Sequence, residues 1–234
     1  MIEQLPLGIA WLLVFIVSVV CHEASHALVA SLLGDNTARQ EGLVTLDPSP
    51  HIRREPFGMV VVPVISFLMA GWMIGWGSAP INRDWALNHP RRSAVMALAG
   101  PAANLILVVV AIGLIHLGLA LGWWTPPEAL AFDRLVAVAG DHRLIDLLAS
   151  LVSILLSLNV LLCAFNLLPL PPLDGSQLVL LVLPRNLARS YQTMISDGRW
   201  ALIGIIIAWN VAWRVIGPAW LMVVNLLFPG YQYS

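Results

Sequence analysis

The octet Val20-Cys21-His22-Glu23-Ala24-Ser25-His26-Ala27 places two histidines and a glutamate inside a run, Ile9 to Leu33, in which nearly every other residue is apolar or small. The 25 residues of this run, at about 1.5 Å each, cross a hydrocarbon core of about 30 Å, so the run reads as a membrane-spanning helix. An ionisable side chain deep in such a span costs at least about 2.5 kcal/mol, which marks it as a functional position with a partner. On a helix His22 and His26 lie one turn apart on one face, where both imidazoles can reach a single metal ion. Glu23 stands beside them, placed to handle a proton on water.

The rest of the chain agrees with a membrane setting. Of 234 residues 59% are hydrophobic and only 11% charged, which predicts a polytopic membrane protein. The formal net charge is -1, and all 12 basic residues are arginine. No basic patch of nucleic-acid type is present, so a nucleic-acid partner is not expected. Met1 to Pro6 carries Glu3 and no positive region, so no cleaved signal peptide is expected. Cys21 and Cys163 both fall in apolar spans and read as small packing residues. The length fits one integral-membrane domain over 1–234, with a core at 7–183 and a C-terminal helical segment at 199–228.

Four further apolar stretches follow. Phe57 to Trp76 is broken by Pro63, Gly71 and Gly75 and rich in valine and isoleucine; Ser93 to Leu121, Leu147 to Leu168 and Trp200 to Phe228 read as spans, the last with a kink at Gly217-Pro218. Between them lie polar loops, with Leu43 to Leu46 a candidate short strand, Trp123-Trp124 as interfacial anchors and Pro126-Pro127 as a turn. The expected fold is all-α, a bundle of roughly four to six transmembrane helices.

Two histidines supply two ligands, and a hydrolytic zinc takes a third from the protein. Asp174 is the other acidic residue embedded in apolar sequence, just past the prolines of Leu168-Pro169-Leu170-Pro171-Pro172. Either it presents a ligand from an opened helix, or it is solvated where the chain turns at the membrane surface. The two histidines, Asn104 and Asp174 meet at one depth if Phe57 to Trp76 leaves and returns on one side, as a small re-entrant β-hairpin. That topology collects Arg39, Arg53, Arg54, Arg83, Arg91, Arg92, Arg185, Arg189 and Arg199 on the metal's side, leaving Arg134 and Arg143 opposite. The positive-inside rule then directs the metal toward the cytoplasm, in a multi-pass protein of the plasma membrane.

Three motifs together resemble the site-2 protease family of intramembrane zinc metalloproteases. They are His22-Glu23-Ala24-Ser25-His26, Gly100-Pro101-Ala102-Ala103-Asn104, and Asn166-Leu167-Leu168-Pro169-Leu170-Pro171-Pro172-Leu173-Asp174-Gly175, the last matching the family's N-x-x-P-x-P-x-L-D-G at every fixed position. The resemblance implies one zinc ion held by His22, His26 and Asp174, with Glu23 as catalytic base and Asn166 in substrate or intermediate binding. It also implies a transmembrane-segment substrate, cleaved within or near the bilayer. Nothing in the sequence has the pattern of a PDZ or CBS domain, so a compact form of the family is expected.

Asn104 is expected as an interhelical hydrogen bonder. A substrate strand is expected to add to an edge in Val60 to Ser66. Two other chemistries share part of the pattern: a non-proteolytic metal-binding protein or transporter, and a non-haem iron oxygenase with a two-histidine, one-carboxylate triad. The glutamate beside the histidine pair favours hydrolysis over both.

Overall fold

The computed structural model describes residues 5–138, 140 and 142–233. Helix α1 (Leu5–Leu32) is followed by a polar connection holding α2 (Thr37–Gln40) and α3 (Pro48–Arg54). The α3 start is fixed by Asp47, whose carboxylate accepts the Ser49 backbone N–H at 2.9 Å and hydroxyl at 2.7 Å. Those bonds, the backbone one foremost, hold Asp47 below the usual carboxylate range. Leu43 to Leu46 is irregular, with a bend at Val44 to Leu46, and not the expected strand.

Phe57–Val61 then forms a π turn that continues into α4 (Val62–Ala70), so the first arm of the expected re-entrant β-hairpin is helix and not strand. In an apolar setting a helix satisfies its own backbone groups, and this overrides β-propensity. Gly71, at φ +78°, ends α4 in the left-handed conformation that favours glycine. The chain then runs back extended, the Ile74 N–H reaching Ser66 Oγ at 2.9 Å and the Trp76 N–H reaching Gly58 O at 3.1 Å. The segment therefore returns to where it began, as a hairpin of one helical and one extended arm. Because Val60 to Ser66 is helical, it offers no strand edge, and the expected β-addition there is withdrawn.

Short α5 (Arg83–Asn88) leads into α6 (Pro90–Ala120), which opens with a proline in its first turn. The small antiparallel sheet lies in the next connection, pairing β1 (Trp124–Thr125) with β2 (Ala137–Val138). Trp124, expected at the interface, is buried and donates its indole N–H to Ile145 O at 3.4 Å. Helix α7 (Arg143–Asn166) ends before the prolines, and α8 (Asp174–Leu178) follows them, extended by a 3-10 turn at Val179–Leu181. The polar stretch expected as a loop contains α9 (Arg185–Ile195), and α10 (Gly198–Leu227) continues through Pro218.

Among the described residues α1, α6, α7 and α10 are long and apolar enough to cross a membrane, and the chain is a multi-pass membrane protein. Helices α1, α6 and α7 form the packed centre. Small side chains (Ala27, Ala30, Ala94, Ala97) are buried on α1 and α6, which lets their backbones approach closely. Helix α10 packs on α7, where Trp220 donates to Ser157 Oγ at 2.9 Å, and turns Leu202 and Ile206 outward. Cys21 and Cys163 are free and half-buried, as packing residues of their helices.

Candidate metal centre

The second half of α1 faces α6, so that His22, Glu23 and His26 are all buried in the bundle. The prolines after α7 carry the chain back across the same level, and α8 begins with Asp174. His22 Nε2 and His26 Nε2 are 3.0 Å apart, and Asp174 Oδ2 lies 3.2 Å and 3.3 Å from them. A tetrahedral metal with bonds of 2.0–2.1 Å separates its ligands by about 3.3 Å, so the three atoms already stand near the spacing such an ion requires.

Hydrogen bonding on the far side of each ring decides what these atoms are. His26 Nδ1 lies 2.9 Å from the Met96 carbonyl, which only accepts, so Nδ1 carries the proton. For His22 the argument runs through a chain of amides. Asn159 Nδ2 donates to Leu155 O and to Ser18 Oγ, both at 2.8 Å, so its Oδ1 faces the Nδ2 of Asn104, again at 2.8 Å. Asn104 therefore turns its Oδ1 to His22 Nδ1, at 2.6 Å, and that nitrogen donates too.

Both Nε2 atoms thus present lone pairs, to each other and to a carboxylate oxygen that is buried without a hydrogen-bond donor. A single proton can bridge one such pair; a divalent cation satisfies all three. The space beside them is kept open by Gly100, where a Cβ would fall 2.3 Å from His26 Nε2 and 2.5 Å from His22 Nε2. The donor set, its orientation and this cradle fit a bound metal such as zinc.

Glu23 and Asn166, the other two residues singled out, share a cavity of about 140 Å³ next to the histidines, walled by His22, Gly75 to Gly77, Phe165 and Leu173. The Asn166 amide donates to Leu162 O at 3.0 Å, one turn back on its own helix, so one of its two N–H bonds is turned away from the cavity. A second, almost wholly apolar cavity of about 90 Å³ adjoins it through Gly75, Leu162 and Phe165, and reaches Trp72 and, on α10, Trp209 and Trp213. Sequence reasoning missed the relay His22–Asn104–Asn159–Ser18. Its one legible signal was polar side chains at interior positions of three apolar helices.

A family model described as peptidase family M50 matches residues 10–208. The Bacillus subtilis (strain 168) protein named "Putative zinc metalloprotease YwhC" is 36% identical over 166 residues, which is 70% of this chain and 64% of that protein. "Putative zinc metalloprotease Rip2" of Mycobacterium tuberculosis (strain H37Rv) is 30% identical over 162 residues, 69% of this chain and 52% of that protein. The chain thus spans between half and two-thirds of the length of these relatives. No solved structure matches it. A match over most of the chain, embracing all three motifs, shows that the chain belongs to peptidase family M50, the site-2 protease family.

Proposed function

We propose that this chain is a zinc metalloprotease that hydrolyses peptide bonds within or near transmembrane segments of membrane proteins. One zinc per chain is held by His22, His26 and Asp174. The observation that carries the reading is the meeting of three lone-pair atoms, an Asp174 oxygen and the Nε2 atoms of two rings locked by Met96 and Asn104. Bound there, zinc supplies a Lewis acid that acidifies water and polarises a peptide carbonyl.

The chain's own residues do the rest. Glu23 takes a proton from the attacking water onto its carboxylate and returns it to the leaving amine. The Asn166 amide, through the N–H not engaged by Leu162, donates to the oxygen of the attacked carbonyl. Asn104 and Met96 hold the imidazoles in the tautomer that leaves Nε2 available. The adjoining apolar cavity supports a substrate that arrives laterally from the bilayer, because its walls favour apolar side chains over water. The nine arginines at the metal's end of the bundle support an orientation with that end in the cytoplasm, in the plasma membrane.

The test is cleavage of a transmembrane-segment reporter in proteoliposomes, with the cut mapped by mass spectrometry and zinc counted per chain. The reading predicts one zinc, a cut inside or at the edge of the apolar segment, and loss of both zinc and cleavage in Asp174→Asn. Full zinc and full cleavage in that variant, or a cut confined to soluble flanks, would sink it.

A further inference from the structure

Arg91 and Arg92 in the first turn of α6, together with Arg189 of α9, line one surface depression of about 460 Å³ at the metal's end of the bundle. The three guanidinium groups come from two elements far apart in sequence, α6 and α9, and none of them is in an ion pair among the described residues. Arg92 gives one N–H to the Leu33 carbonyl at 3.3 Å, which fixes the side chain and leaves its charge uncompensated. Three like charges around one concavity are mutually repulsive unless an anion sits among them.

The surface beside the depression identifies which anion. Val95 and Leu98 follow Arg91 at the spacing of one helix face, and both are exposed, at 46% and 43%. Further along the same face Leu105 and Val109 are exposed as well. A basic head site therefore continues into an apolar track that runs along α6 into the bilayer. Inorganic phosphate would use the first part only; a phospholipid uses both.

We propose that this depression binds the phosphate headgroup of an anionic phospholipid, its acyl chain lying along Val95 and Leu98. The bound lipid bridges α6 and α9, and both of these hold the segment that carries Asp174. Ser93 donates to Gln177 Oε1 at 2.6 Å, Tyr191 donates to Ser176 O at 3.0 Å, and Ala94, Leu180 and Ala188 pack together beneath. The lipid thus braces the third metal ligand from outside the site. The choice of leaflet rests on the orientation proposed above; the binding itself is independent of catalysis.

The experiment is native mass spectrometry of delipidated protein in neutral detergent, titrated with phosphatidylglycerol and with phosphatidylcholine of the same acyl chains. Each interfacial arginine contributes about fivefold to binding an anionic lipid. The wild type is expected to prefer phosphatidylglycerol, and Arg91→Gln/Arg189→Gln to lose about thirtyfold of that preference. Arg134→Gln/Arg143→Gln, the same charge change at the opposite end, is expected to keep it. Equal loss in both double variants, or none in the first, overturns the proposal. Displacement of the lipid by millimolar inorganic phosphate would reassign the site to a free anion. All three readouts are of binding, so a protein that fails to cleave any reporter can still pass or fail this test.

Discussion

His22 cannot orient itself: a ring on a buried helix face turns about two side-chain bonds, and what stops it is the Asn104 carbonyl at 2.6 Å. Asn104 is in turn held by Asn159, and Asn159 by Leu155 O and Ser18. Outer partners of this kind contribute 10- to 100-fold to metal affinity. Asn104→Ala is therefore expected to weaken zinc binding by about that factor, measured by competition with a chelator of known affinity, while the ligands themselves stay intact. The histidine pair and its glutamate were legible in the sequence because i, i+4 spacing fixes their shared face whatever the surroundings. Asn104 was legible only as an interhelical hydrogen bonder, since nothing local says that the amide's oxygen, rather than its nitrogen, faces a ring 82 positions away.

The end of α7 was legible within two residues because Pro169 stops it, whereas α6 begins at Pro90, three residues before the span read from Ser93, because the polar Pro-Arg-Arg turn carries no apolar signal. The return of 57–76 was legible from where the polar residues must meet, but its conformation was not: β-branched composition speaks for a strand, whereas the bilayer rewards any fold that satisfies its own backbone, and Gly71 supplies the turn that α4 needs. Helix α9 was missed for the opposite reason: its polar face dominates the composition, and its apolar residues, Ala188, Tyr191 and Ile195, gain their meaning from Ala94 and Leu180. The proline segment that delivers Asp174 is seated on α10 at Gly204, where a Cβ would lie 1.7 Å from the Pro171 carbonyl oxygen. Gly204→Val must push the two apart, at a cost of about 1 to 3 kcal/mol. A lowered melting temperature is expected, with Ile206→Val on the exposed face of the same helix as the unaffected control.

The molecule as a whole is polarised. The connections 33–89 and 167–197 meet at one end, where α5 packs against α9; the first is tied together by the Asn82 N–H, which reaches Asp35 Oδ2 at 2.8 Å. Residues 121–138 and 228–233 meet at the other, where the Tyr233 hydroxyl donates to Pro127 O at 2.9 Å. The return of 57–76 to its starting side keeps the parity inferred from the arginine distribution, although its outgoing arm is helix and not strand. With Cys21 and Cys163 replaced by serine, a cysteine at Ala129 is expected to react with a membrane-impermeant maleimide on intact cells. One at Ser190 is expected to react only after permeabilisation; labelling of both from outside would refute the topology.

The central claim is that a metal held by His22, His26 and Asp174 works with Glu23 on a peptide bond. Its most direct test is reporter cleavage by purified wild-type protein and by Glu23→Gln, with zinc measured in both. The account predicts equal zinc and a rate about 10²- to 10⁴-fold lower in the variant, the loss expected when a positioned acid–base group is removed. Cleavage unchanged by the substitution, or wild-type protein that cleaves without zinc, would contradict it.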